Sequence, residues 1–102
     1  MAREYLYEFK LEEHHGETHY YYDGLVYAKN QEDANRLADI YASTFYGEAE
    51  RIVQDDGGLP CYHFNYGAII VHVDGPVRRT TKKAWQESTF ERDLLVKRTE
   101  RA

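Results

Sequence analysis

Between residues 3 and 13 apolar and polar side chains alternate, with Tyr5, Tyr7, Phe9 and Leu11 on one side and Glu4, Glu8, Lys10 and Glu12 on the other. A period of two is that of a half-buried strand, whose successive side chains point to opposite faces. A second β-rich run covers residues 18 to 28. The connection His15-Gly16-Glu17-Thr18 puts glycine first in a two-residue loop, as a type II′ hairpin turn requires. The two runs therefore pair antiparallel, in a register where paired residue numbers sum to 33. That register sets Lys10 opposite Asp23, an opposite-charge pair, and Phe9 opposite Gly24, where a ring covers the gap left by a glycine. Tyr5 with Ala28, Tyr7 with Val26 and Leu11 with Tyr22 form the core face. The other face carries Leu6 with Tyr27, Glu8 with Leu25 and Glu12 with Tyr21, more apolar than a water-facing surface needs.

The pattern then changes period. Ala34, Leu37, Ala38, Tyr41 and Phe45 recur at spacings of three and four, which predicts a helix over residues 31 to 46. Asn30 is placed to cap it, Glu32 and Asp33 complement the dipole of its first turn, and Gly47 is placed to end it. Ile52 and Val53 mark a short strand before the turn residues 55 to 60. Residues 61 to 74 are rich in β-formers and read as one long central strand, bent or bulged at Gly67. Asp74-Gly75-Pro76 closes it. Thr80 or Thr81 can cap a last helix through Trp85, Phe90, Leu94 and Leu95, although these four spread widely around a helical wheel. The expected architecture is α+β, two-layered, with a mainly antiparallel four-stranded sheet in the order ββαββ packed on one amphipathic helix. Residues 1–75 make the compact domain. Residues 76–102 make a basic helical arm, packed on the sheet or exchanged between subunits.

Charge sharpens that division. The net charge is −5, but residues 1–75 hold 5 basic and 14 acidic side chains, whereas residues 76–102 hold 8 and 4. This split argues against a uniformly basic nucleic-acid binder and favours contacts between an acidic body and a basic arm. The longest apolar run, Ala68 to Val71, is far short of the roughly 20 residues a membrane helix needs. A start without an apolar leader and a single cysteine, Cys61, fit a reducing cytoplasm.

Motifs with specific chemistry are scarce. His14 and His19 face each other across the predicted hairpin and are weak candidates for shared metal ligation. Cys61 and His63 share a strand face, yet spacing alone does not make a thiolate nucleophile. Asp55-Asp56-Gly57-Gly58 lacks the alternating oxygens and distant glutamate of a calcium loop and reads as a turn. No phosphate loop or nucleophile elbow occurs, so no catalytic residue and no cofactor is expected. Ten tyrosines in 102 residues remain to be explained. One reading makes Tyr62, Phe64 and Tyr66 a stacking platform for single-stranded nucleic acid, with Arg78, Arg79, Lys82 and Lys83 taking phosphates. The reading preferred on charge is a non-catalytic interaction module, a homodimer or a partner of another protein, built on Leu6, Tyr21, Leu25, Tyr27, Trp85, Phe90 and Leu94.

Overall fold

A computed structural model describes residues 3–87 of the chain. The elements are β1 (Tyr5–His15), β2 (Thr18–Ala28), α1 (Gln31–Ser43), β3 (Arg51–Gln54), β4 (Pro60–Phe64), β5 (Ile69–Val73), β6 (Arg78–Arg79) and α2 (Lys82–Glu87). The class is α+β, with an open antiparallel sheet and α1 packed on one face. No helix among the described residues is long and apolar enough to cross a membrane.

The hairpin forms in the expected register, from Tyr5 opposite Ala28 through Lys10 opposite Asp23 to His15 opposite Thr18. Gly16 takes φ of +58°, the left-handed value that its turn position demands. Among the described residues the sheet has six strands rather than four, because residues 60–73 are a hairpin and not one bent strand and because Arg78–Arg79 adds the short β6. Asn65, Tyr66 and Gly67 have φ of 53°, 58° and 85°. Three consecutive left-handed residues reverse the chain, where a bulge would only bend it. The amides of Gly67 and Ala68 close the turn onto the carbonyls of Phe64 and Asn65, each at 3.1 Å.

Strand order is β2-β1-β5-β4-β3, with β6 pairing β1 as well. β1 is therefore an inner strand, bonded on both sides. Its second half bonds β5, with Glu12 opposite His72, and its first half bonds β6, with Glu8 opposite Arg78.

Asn30 caps α1 as expected, its side-chain oxygen accepting from the Asp33 amide at 2.8 Å. The helix stops at Ser43, three residues before the expected end. The Thr44 amide still reaches the Ile40 carbonyl at 3.0 Å, but the next amide, Phe45, steps back only three residues to Ala42 at 3.4 Å, a tightened last turn in which Ser43 Oγ and Thr44 Oγ1 also donate to Ile40, at 2.9 and 2.7 Å. Phe45 still enters the core from the following loop. Ala34, Ala38 and Ala42 bring the helix close over Tyr7, Phe9, Leu11, Val26 and Val71, and Phe9 stacks on Tyr41 with centroids 5.8 Å apart.

Asp39 sits at the edge of this layer with Oδ1 buried and unpartnered among the described residues. Burial raises its pKa, against a smaller lowering by the hydrogen bond from Tyr62. An acid whose folded pKa is raised favours the native state most when protonated, below the unfolded value, and that contribution is lost as pH rises through the folded pKa. Asp39→Asn is therefore expected to melt above the wild type at pH 7. The difference should close as pH falls into the ordinary carboxylate range, which melting curves across that range will check.

Candidate functional site on the outer sheet face

The sheet face away from α1 collects the even residues of β1 and their partners: Leu6 with Tyr27, Glu8 with Leu25, Lys10 with Asp23, Glu12 with Tyr21 and His14 with His19. Leu25 and Trp85 are buried, although neither belongs to the core between sheet and helix. Trp85 lines a groove on this face with Glu8, Lys10, Asp23 and Arg78. Thr81 positions it, since its hydroxyl accepts from the Ala84 amide at 3.1 Å and its carbonyl from the Trp85 amide at 2.9 Å. Arg78 reaches Glu8 at 3.3 Å, an exposed pair of small energetic weight. Of the residues expected at an interface, Leu6 is half-buried, Tyr21 and Tyr27 are exposed, and Phe90 and Leu94 lie outside the described residues.

At the hairpin end of the same face four polar side chains converge from three strands. His14 and His19 are opposite each other on β1 and β2, and Glu12 and His72 are opposite each other on β1 and β5. One Glu12 oxygen lies 3.1 Å from His72 Nε2 and 3.4 Å from His14 Nε2; the other lies 2.5 Å from His19 Nδ1 and accepts from the Tyr21 hydroxyl at 3.1 Å. His14 Nε2 and His72 Nε2 are 3.1 Å apart. Burial works to raise the pKa of Glu12. The hydrogen bonds from His19 and Tyr21 and the charges of His14 and His72 outweigh it and hold the carboxyl below its ordinary value. Sequence reasoning passed over Glu12, which the hairpin register already sets on the face of His14 and His19, and had no access to His72. Their alignment depends on β5 lying beside β1, and no local signal names the strand on β1's far side.

The core face carries a second polar cluster directly beneath. Glu13 continues the alternation of Phe9 and Leu11 and is fully buried. It accepts from the Tyr46 hydroxyl at 2.6 Å and contacts His15. Tyr22 also bonds it, and burial followed by that bond pushes the Tyr22 pKa up to about 12.

The residues considered for nucleic acid do not share a surface. Tyr62 and Phe64 are buried in the core under α1, while Tyr66 stands exposed at the tip of the β4–β5 turn. Arg78 is opposite Glu8 on the outer face, whereas Arg79 is opposite Tyr7 and lies over the Tyr5 ring at 3.9 Å on the other face. Lys82 and Lys83 open α2 and are exposed. Cys61 and His63 line a shallow groove with His14, Ile70 and His72, and burial raises the Cys61 pKa, away from a reactive thiolate. No family model matches the chain, and neither a curated protein nor a solved structure matches it.

Proposed function

We propose that the protein is a small binding module that works by non-covalent association through the outer sheet face and its edge strand β2, and that it associates with a second copy of itself. The observation that carries this reading is the set of large side chains left exposed along β2: Tyr20 at 48%, Tyr21 at 60% and Tyr27 at 48%. β2 ends the strand order, so among the described residues its outer edge offers main-chain donors and acceptors to an added strand. Strand addition takes affinity from those groups and specificity from alternate side chains.

A two-fold antiparallel pairing centred on Tyr21 sets Tyr21 against its counterpart, Tyr20 against Tyr22 and His19 against Asp23 of the second copy, all favourable cross-strand combinations. The acidic body and basic residues 76–102 add attraction between copies. Since Trp85 lies on its own sheet, an exchanged arm would repeat the same contact across the pair. Sedimentation equilibrium at micromolar concentration is expected to give a dimer mass for the wild type and a monomer mass for Tyr21→Lys, which opposes like charges at the centre of the joint. A monomeric wild type at all concentrations sinks the reading.

A further inference from the structure

We infer that the outer face carries a binding site for one divalent first-row transition-metal ion, zinc foremost, held by the imidazoles of His14, His19 and His72 and the carboxylate of Glu12. The inference goes beyond association and stands without it, since all four donors come from one chain.

Three facts carry it. The first is the shape of the donor set. Two nitrogen or oxygen ligands bound to a tetrahedral zinc ion at about 2.0–2.1 Å lie about 3.4 Å from each other. Glu12 Oε1, His14 Nε2 and His72 Nε2 form a triangle with edges of 3.4, 3.1 and 3.1 Å. That triangle matches one face of the tetrahedron. His19 stands beside that face as a further donor, the ligand atoms of Glu12, His14 and His19 all lying within 4.8 Å of one another and His19 Nδ1 meeting the other Glu12 oxygen.

The second is the tautomer of His72. Its Nδ1 is 3.0 Å from the Val73 carbonyl oxygen, and a carbonyl only accepts, so Nδ1 carries the hydrogen. In the neutral ring Nε2 is then a bare lone pair, aimed at a carboxylate oxygen and a second imidazole nitrogen. Lone pairs repel at 3.1 Å unless a cation or an added proton lies among them. A ligating histidine whose other nitrogen donates to a backbone carbonyl is the usual outer-shell support for a bound metal.

The third is rigidity with access. β1 is bonded on both sides where it carries Glu12 and His14, so the backbone presets the donors. Glu12 and His72 are nearly covered, with side chains 12% and 13% exposed, while His19 is 40% exposed and leaves an open flank for entry. Three imidazoles and one carboxylate suit zinc, copper, nickel and cobalt, and do not suit the oxygen-seeking calcium or magnesium.

The test is calorimetric titration of metal-free protein with Zn²⁺, paired with Co²⁺ titration read by its visible absorption bands. The expected result is one ion per chain, a raised melting temperature, and affinity lowered at least about tenfold in His14→Ala and in His72→Ala. His63→Ala, on the next strand of the same face, should keep wild-type affinity. In case either ligand variant does not fold, histidine ring resonances of the wild type provide a second reading, with zinc shifting His14, His19 and His72 ahead of His15 and His63. Absence of saturable binding of either ion overturns the inference and leaves an added proton on His72 as the link to Glu12. So does undiminished binding in folded His14→Ala and His72→Ala, or ring shifts confined to His15 and His63.

Discussion

Gly24→Val is expected to destabilise the wild type by about 1–3 kcal/mol and to stabilise a protein that already carries Phe9→Ala. A β-carbon built at Gly24 falls 2.6 Å from Phe9 Cζ and 3.0 Å from both ring Cε atoms, closer than packed carbons approach. The ring cannot retreat, because Phe9 is buried in the main core and stacks on Tyr41 of α1. Its backbone is not left-handed, so a side chain at Gly24 meets no conformational barrier, only the ring. Phe9→Ala alone should cost about 3–5 kcal/mol, the usual penalty for emptying an aromatic site. In that background valine at position 24 refills part of the void and adds β-propensity, reversing the sign of its effect. Urea unfolding of the four proteins of the cycle measures this, and strictly additive changes would falsify the account of Phe9 as a lid over a deliberate gap.

Tyr46→Phe is expected to cost about 1–3 kcal/mol, the range for taking a hydrogen-bond partner from a buried polar group. Its hydroxyl donates at 2.6 Å to Glu13, whose other oxygen is already buried without a partner among the described residues. Removing the donor leaves the carboxylate with Tyr22 and His15 alone. Tyr20→Phe, on the exposed part of β2, is the control and should change stability by less than about 0.5 kcal/mol. Equal effects of the two substitutions in thermal melts would remove Glu13 as a centre of stability.

The two predictions also mark what can be read from the chain. The contact of Phe9 with Gly24 was fully legible, because a two-residue turn with a leading glycine permits one register and every pair in it follows by counting. The cap at Asn30 was legible for a similar reason, since the interaction spans three residues. Legibility failed where the deciding contact was remote or local signals conflicted. Residues 60–73 carry β-formers on both sides of Asn65-Tyr66-Gly67, and tyrosine between two turn residues disguised a reversal as a bend. The early end of α1 is a tightened last turn, with the Phe45 amide stepping back to Ala42, which apolar periodicity does not register. Glu13 was open to reading, since the alternation of Tyr7, Phe9 and Leu11 continues onto it, but a carboxylate at a core position is the exception to the rule that found the others. His72 was beyond reach because 58 residues separate it from His14.

That separation bears on how the molecule assembles. β1 and β2 meet over two residues and can zip together within microseconds, whereas β5 and β6 must close long loops to reach the other side of β1. A ribbon that formed first would hold Glu12, His14 and His19 together with one long flank of β1 unclaimed. Docking of β5 ends that vulnerable interval and delivers the last imidazole in the same step. Until then the exposed flank is the place where neighbouring nascent molecules are most prone to stick.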